Sequence, residues 1–177
     1  MKIAIIGYSG SGKSTLAEKL SSHYSIPRLH MDTLQFQPGW KDSDRYWMET
    51  EMKNFLTKHE SWVVDGNYSW CYYEERMQEA DQIIFLNFSP WTCLFRAFKR
   101  YLTYRGKVRE SMAAGCPERF DWDFIRWILW DGRTKNAKEC YQRVQETYPE
   151  KVIVLSSQKE IDYFLENIAN NKKNQRA

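Results

Sequence analysis

The chain has 177 residues, of which 42% are hydrophobic and 16% aromatic, so it can fold around a core and is not a disordered protein. Its net charge of +3 is too small by itself to indicate a nucleic-acid-binding protein. No apolar run is long enough to span a membrane, and the N-terminus lacks the pattern of a secretory leader. We therefore expect a cytoplasmic protein without a membrane partner.

The first predicted elements are a strand, a glycine-rich loop and a helix. Residues 2–6 are apolar without alternation, which is typical of a buried parallel strand. The sequence GYSGSGKST at 7–15 matches the P-loop pattern G-x-x-x-x-G-K-[ST], and residues 16–24 have the apolar spacing of a helix. The alternative is an ordinary Gly/Ser loop with Lys13 in solvent.

A P-loop binds the phosphates of a nucleoside triphosphate. Its backbone N–H groups form an anion nest, and the helix that follows adds its positive dipole end. Lys13 would contact the terminal phosphates, Ser14 would bind Mg²⁺, and Thr15 would add a phosphate contact. The predicted ATP-binding residues are Gly7, Ser9, Gly10, Ser11, Gly12, Lys13, Ser14 and Thr15.

Two carboxylates come at the ends of the next two predicted strands. A short strand over 26–31 ends at Asp32, and an apolar strand over 61–64 ends at Asp65. Because the carboxyl ends of parallel strands meet at one edge of a sheet, we expect both beside the P-loop. Asp65 is predicted to bind Mg²⁺ with Ser14, and Asp32 to orient an acceptor hydroxyl or take its proton. The alternatives are a turn at Asp65, and a helix cap or an ion pair with Arg28 at Asp32.

Residues 33–41, with Pro38 and Gly39, read as a loop before a second helix. A short helix is expected over 70–77 and a fourth strand over 82–88. Ser89 and Pro90 then begin a helix that runs to about residue 105. Its predicted buried face consists of Trp91, Leu94, Phe95, Phe98 and Leu102.

The chain is basic from the second half of that helix onward. Residues 96–138 contain eleven Lys or Arg and five Asp or Glu, a net charge of +6. We predict an approximate lid insert over 105–133, whose arginines would neutralise a migrating phosphoryl group and exclude water. Arg100 and Arg133 are the predicted catalytic arginines, and the alternative for each is a solvated or aromatic-stacked side chain. The other candidates are Arg96, Arg105, Arg109 and Arg119.

The remaining pattern completes an α/β fold. An aromatic helix over 121–130 could stack a base, although the core of a small lid is the favoured interpretation. A helix over 135–148, a fifth strand over 151–155 and a last helix opened by Ser157 and Glu160 follow. Strands that alternate with helices predict a largely parallel five-stranded sheet covered on both faces, in a single domain over 1–177.

Several segments together resemble a known family. The P-loop, LHMD at 29–32, WVVDGNY at 62–68 and GCPERFDW at 115–122 are similar to the bacterial "DNA topology modulation protein", FlaR-related, family. The resemblance implies an adenylate-kinase-like P-loop NTPase, a three-layer sandwich with strand order 2-3-1-4-5, and a lid after strand four. It also implies ATP and Mg²⁺ contacts at residues 12–15 and matches Asp65 to an Asp-Gly pair of nucleotide kinases. Those kinases continue with Phe-Pro-Arg, whereas this chain continues Asn67-Tyr68-Ser69.

These patterns predict an ATP- and Mg²⁺-dependent phosphotransferase. The acceptor would be a small molecule, nucleoside-like, nucleotide-like or another metabolite, held between Asp32, Asp65 and the second helix. The rival interpretation is a nucleotide-dependent regulator that affects DNA topology, favoured by the basic segment, the family name and a cationic tail. That tail contains Lys172, Lys173 and Arg176.

Overall fold

The computed structural model describes residues 1–174, with side chains described as far as residue 170. Its strands are β1 (Lys2–Gly7), β2 (Arg28–His30), β3 (Phe36–Gln37), β4 (Lys41–Asp42), β5 (Trp62–Asp65), β6 (Gln82–Leu86) and β7 (Val152–Leu155). Five of them form a parallel sheet in the order β2-β5-β1-β6-β7. Counted along this sheet alone, the order is the predicted 2-3-1-4-5, and the predicted α/β fold is confirmed.

The helices of residues 1–174 connect and cover these strands. They are α1 (Lys13–Tyr24), α2 (Met31–Gln35), α3 (Arg45–Lys58), α4 (Tyr73–Glu79), α5 (Pro90–Tyr104), α6 (Trp122–Leu129), α7 (Lys135–Thr147) and α8 (Gln158–Asn174), with a 3-10 turn at Asp131–Arg133. Arg176, and the side chains of Lys172 and Lys173 in the predicted cationic tail, lie outside the described residues. No helix within residues 1–174 is long and apolar enough to cross a membrane.

The middle of the sheet is buried on both faces. Every residue of β1 after Lys2 is buried, and so are all four residues of β5. α1 packs on this part of the sheet through Leu16, Ala17 and Leu20, which are at most 2% exposed. The register pairs Ile5 with Asp65 and Asp65 with His30. The ends of β1, β2 and β5 therefore come together beside the P-loop.

The region around Asp32 is more ordered than predicted. The second strand ends at His30, so Asp32 lies in the first turn of α2 rather than at a strand end. The predicted loop over 33–41 contains a two-stranded hairpin, β3 and β4, with Pro38 and Gly39 at its turn. Within this hairpin the Phe36 and Trp40 rings pack against each other, with their centroids 5.2 Å apart.

The predicted buried face of α5 is wrong except at Leu94, which is partly buried and packs against the core. Trp91, Phe95, Phe98 and Leu102 are exposed, and the residues that α5 buries are Cys93 and Ala97. The reason is the closeness of α5 to the P-loop, where only small side chains fit between the two backbones. A methyl group on Gly10 would lie 2.5 Å from the Cys93 carbonyl oxygen. Close backbone packing thus decided which side of α5 faces inward.

The chain between α5 and α7, residues 105–133, is called the insert below. It contains α6 and the 3-10 turn and is otherwise irregular. Its predicted aromatic core is only partly formed, because Trp122, Trp127 and Trp130 are each at least half exposed. Phe120 and Phe124 do pack against the core. Polar contacts, described below, hold most of the insert in place.

The tight contact between Gly10 and Cys93 can be tested with a matched pair of glycines. Gly10 and Gly39 have nearly the same left-handed backbone, with φ of +79° and +80°, but a methyl group on Gly39 would meet nothing within 4 Å. We expect Gly39→Ala to lower the free energy of unfolding by about 1 kcal/mol, the cost of the backbone conformation alone. Gly10→Ala should cost roughly 1–3 kcal/mol more, because α5 must move. Chemical denaturation of both variants measures the difference, and equal losses would contradict this packing.

Candidate active site

A cleft of about 1060 Å³ opens where β1, β2 and β5 end. The P-loop lines one part of it, Asp32 and Tyr68 line another, and arginines of α5 and the insert line a third. Six of the predicted ATP-binding residues reach this cleft, namely Ser9, Gly10, Gly12, Lys13, Ser14 and Thr15. Gly7 and Ser11 do not line it, but each contacts a residue that does, Gly7 through Asn67 and Ser11 through Arg96.

Lys13 is the cation of the P-loop. Its Nζ donates hydrogen bonds to the carbonyl oxygens of Gly7, at 2.9 Å, and Tyr8, at 3.2 Å. Burial lowers the pKa of Lys13, although the nearby Asp32 and Asp65 carboxylates act in the opposite direction. α1 begins directly after Gly12 without a side-chain cap, so its first N–H groups remain available to an anion. The loop therefore combines a desolvated cation with open backbone donors.

Asp65 is a buried carboxylate that joins three elements. Its Oδ2 accepts a hydrogen bond from Ser14 Oγ at 2.9 Å, and its Oδ1 lies 2.5 Å from His30 Nδ1. His30 Nε2 accepts a hydrogen bond from Arg28 Nε at 3.3 Å, which makes Nδ1 the donor toward Asp65. Asp65 thus links the start of α1 to the end of β2.

The Ser14 and Asp65 pair fits a magnesium ion that arrives with a nucleotide. Mg²⁺ prefers oxygen ligands and usually takes only one or two from the protein, with phosphates and water completing the octahedron. A hydroxyl and a carboxylate in contact at the edge of the P-loop are such a set. Among the residues that the structure describes, no three His, Cys, Asp or Glu side chains are grouped as a metal site.

Asp32 lines the cleft and is held by a tyrosine. Tyr68 Oη donates to Asp32 Oδ1 at 2.6 Å, and burial together with the Asp32 charge raises the pKa of Tyr68 far above its usual range. Tyr68 therefore stays a proton donor, and Asp32 Oδ2 has no hydrogen-bond partner among the described side chains. The alternative ion pair with Arg28 is not formed, because Arg28 contacts His30 and Glu110 instead.

Two side chains fix the loop that follows β5. Asn67 makes both possible backbone contacts with Gly7, accepting from its N–H at 3.0 Å and donating to its carbonyl at 2.6 Å. Arg76 is fully buried and donates to the carbonyl oxygens of Gly66, Tyr68 and Tyr72. Burial lowers the pKa of Arg76 to about 10, so it is still charged at neutral pH. Asn67 thus attaches the loop that carries Tyr68 to the P-loop, and Arg76 fixes the shape of that loop.

A buried glutamate organises two arginines of the cleft. The Glu118 side chain, only 4% exposed, pairs with Arg100 at 2.6 Å and with Arg109 at 2.6 Å. Burial lowers the pKa of Arg100, and the neighbouring Arg109 adds to that effect. One carboxylate against two guanidinium groups leaves a net charge of +1. The predicted catalytic Arg100 is therefore in the cleft with Lys13 and Asp32.

The other predicted arginines have different positions. Arg133 is not part of the cleft lining: its guanidinium lies 3.7 Å from the Tyr8 ring centroid and donates to the carbonyl oxygens of Ile128 and Phe88. Arg96 and Arg119 do line the cleft, and Arg96 also donates to the Ser11 carbonyl at 2.6 Å, so it holds the P-loop. Arg119 stacks on Trp40, and Arg105 is exposed.

The hairpin formed by β3 and β4 is joined to the insert. Gly39 N–H donates to the Gly115 carbonyl at 3.0 Å, Trp40 Nε1 to the Pro117 carbonyl at 3.1 Å, and Cys116 Sγ to the Gln37 carbonyl at 3.0 Å. At its other end the insert reaches the P-loop, where Trp127 Nε1 donates to Ser9 Oγ at 3.0 Å. The insert therefore contacts both sides of the cleft.

Sequence patterns missed the residues that support this site. His30 was not among the predicted site residues, and its parallel register with Asp65 is the signal that could have revealed the pair. Asn67 and Tyr68 belonged to a segment already quoted for the family resemblance, but their partners, Gly7 and Asp32, are 60 and 36 residues away in the chain. Glu118 and Arg76 gave no sequence signal of burial.

The structure resembles solved kinases. A deoxyadenosine kinase from M. mycoides with bound dATP is 19% identical over 98% of this chain and 100% of that chain, with a TM-score of 0.57. The same kinase with products dCMP and a flexible dCDP bound is 18% identical over 98% and 99%, with a TM-score of 0.53. A gluconokinase from Sinorhizobium meliloti 1021 is 18% identical over 99% and 97%, with a TM-score of 0.50. At identities this low, the structural likeness shows a shared P-loop kinase fold and does not show a shared activity.

No protein-family model matches the sequence, and neither does any curated protein. The FlaR-related resemblance therefore stays a prediction.

Removal of the Glu118 charge should destabilise the insert. Glu118→Gln leaves Arg100 and Arg109 partly desolvated without a counter-charge, and we expect the free energy of unfolding to fall by about 2–3 kcal/mol. Glu110→Gln is the control, because Glu110 is 77% exposed and its pair with Arg28 should contribute less than about 1 kcal/mol. Urea denaturation of both variants makes the comparison, and a loss at Glu118 no larger than at Glu110 would contradict the arrangement.

Proposed function

We propose that this chain is an ATP-dependent phosphotransferase that moves the γ-phosphate of ATP to a hydroxyl group of a small molecule. The observation that carries the proposal is that Lys13 and Asp32 line one cleft, one on the phosphate-binding loop and one on the facing wall. Ser14, in the same loop as Lys13, contacts the buried Asp65. A cation for the donor phosphates and a carboxylate for an acceptor hydroxyl are thus present together.

The donor half is the P-loop. The triphosphate would replace the Gly7 and Tyr8 carbonyl oxygens as the partner of Lys13 and would receive the N–H groups at the start of α1. Ser14 and Asp65 would hold Mg²⁺, which neutralises charge on the phosphate oxygens when it is bound. Arg96 and Arg133 both contact the loop, but only Arg96 lines the cleft, and we assign Arg133 to supporting the loop rather than to the reacting phosphate.

The acceptor half centres on Asp32. An acceptor hydroxyl would donate to Asp32, whose other oxygen is held by Tyr68. As the acceptor oxygen bonds to the γ-phosphorus, the bond from that phosphorus to the β–γ bridging oxygen breaks, ADP leaves, and the hydroxyl proton passes to Asp32. Arg100, with the spare positive charge of the Glu118 cluster, would neutralise the migrating phosphoryl group. The insert would act as the lid that excludes water.

The walls near Asp32 favour a nucleoside-like or nucleotide-like acceptor. Phe36, Trp40, Tyr68 and Trp70 all line the cleft, and aromatic walls suit a planar base. A deoxyadenosine kinase among the structural neighbours agrees with this choice. The phosphotransferase also accounts for the basic segment better than DNA binding does, because Arg96, Arg100 and Arg109 are engaged inside the protein.

Replacement of Asp32 should impair transfer of the γ-phosphate without impairing ATP binding. We expect Asp32→Asn to lower kcat by about 10²–10⁴ because the amide cannot take the proton, while ATP binding is nearly unchanged. Asp42→Asn is the matched control, since Asp42 is exposed and does not line the cleft. The assay follows labelled γ-phosphate onto a panel of nucleosides, nucleotides and sugar acids. Wild-type protein that binds ATP tightly and phosphorylates nothing in the panel would argue against a kinase.

ATP affinity should depend on the charge of Lys13. Its pKa is lowered in the free protein by burial, and bound phosphates would raise it, so binding takes up a proton above the free-protein pKa. We therefore expect the affinity to be constant at lower pH and to fall, by up to about tenfold per pH unit, as pH rises through the lowered pKa. Lys13→Arg stays charged and should lack this fall. Calorimetry between pH 7.5 and 10 tests the difference, and parallel profiles would refute it.

A further inference from the structure

His30 is a buried histidine to which the proposed reaction gives no role. It ends β2, is 5% exposed, and its Nδ1 lies 2.5 Å from Asp65 Oδ1. On the other side of the ring, Nε2 accepts a hydrogen bond from Arg28 Nε at 3.3 Å. Arg28 is in turn paired with Glu110 of the insert. A chain of four side chains therefore runs from the insert to the carboxylate beside the P-loop.

Arg28 decides which nitrogen of the His30 ring carries the proton. A guanidinium group has only donors, so the ring nitrogen that faces it must be an unprotonated acceptor. The single ring proton of His30 is then on Nδ1, which donates it to Asp65. Ser14 Oγ, the donor to the other oxygen of Asp65, is also neutral. Asp65 is therefore held by two neutral donors, which bind its oxygens without cancelling its charge.

The buried cations of the site do not pair with Asp65. Lys13 Nζ donates to two backbone carbonyl oxygens of the P-loop, and Arg76 donates to three in the loop after β5. Among the side chains that the structure describes, no Lys or Arg forms a salt bridge with this carboxylate, whose charged-group contact is with His30. A buried carboxylate without a cationic partner is costly, and a bound cation removes that cost.

We propose that His30 is a positioning residue that aims Asp65 at the Mg²⁺ of a bound nucleotide. The inference rests on the proposed use of ATP and Mg²⁺. With Oδ1 held by His30, the carboxylate is kept from turning, and Oδ2 is the oxygen that stays beside Ser14. Without His30 the carboxylate would turn more freely, and fewer of its conformations would place Oδ2 there. Hydrogen bonds of this kind to metal ligands typically change the metal affinity by about 10- to 100-fold.

A purely structural role for His30 predicts a different result. If His30 only satisfies a buried carboxylate, its loss loosens the site and weakens ATP binding equally with and without the metal. If it aims Asp65, its loss weakens only the part of ATP binding that depends on Mg²⁺. The quantity that separates the two is the magnesium gain, which is the ATP dissociation constant in EDTA divided by that in excess Mg²⁺.

Calorimetric titration of ATP into the full chain, in EDTA and in excess Mg²⁺, measures this gain. We expect His30→Leu to lower it by about 10-fold or more. His30→Asn should keep most of it, because the amide nitrogen is bonded to Cγ, as Nδ1 is, and can still donate to Asp65. His59→Leu is the control and should keep all of it, since His59 is a partly buried histidine just before β5, at the opposite end of that strand from Asp65.

Thermal denaturation of each variant checks the fold. If His30→Leu does not fold, His30→Gln replaces it, because its amide lies one carbon farther along the side chain and misses the Nδ1 position. A wild-type gain that His30→Leu or His30→Gln leaves intact would overturn the role of His30, and so would equal losses in His30→Asn and His30→Leu. Wild-type protein that binds no ATP, or binds it without any magnesium gain, would instead count against the proposed function, and this inference would fall with it.

Discussion

The candidate site depends on the buried carboxylate of Asp65. A carboxylate that is 4% exposed is stable only if its oxygens receive donors, and here Ser14 supplies one and His30 the other. Those two residues belong to different elements, α1 and β2, while Asp65 ends β5. Satisfying one buried charge therefore brings the P-loop and the wall that carries Asp32 to the same edge of the sheet.

The loops around the cleft are held mainly by side chains that donate to backbone carbonyl oxygens. Asn67 contacts Gly7, Arg76 contacts the loop after β5, and Arg96 and Arg133 contact the P-loop and its surroundings. Loops carry many backbone polar groups that no sheet or helix satisfies, so such donors are the available means of burying them. A site built this way keeps its geometry before any ligand arrives, as the proposed phosphate transfer would require.

The fold could be predicted from the sequence, and so could the meeting of the P-loop and Asp65 at one edge of the sheet. Both follow from local pattern, because apolar strands alternate with helices and a P-loop follows the first strand. The face of α5 could not be predicted in the same way. The helix has an aromatic stripe and a stripe of small and cationic residues, and hydrophobicity alone favours burying the first. The second is buried because α5 approaches Gly10 closely and because the P-loop needs Arg96. His30, Glu118 and Arg76 were missed for a related reason, since their partners are brought close only by the fold.

The junction between the hairpin and the insert limits how the sequence can change. Trp40 and Pro117 are 77 residues apart in the chain yet share a hydrogen bond, and a methyl group on Gly115 would lie 2.8 Å from Pro38. A substitution in one segment therefore needs a fitting change in the other. Among related chains, residues at the positions of 38–40 and 115–117 should therefore change together, even where the rest of the insert differs.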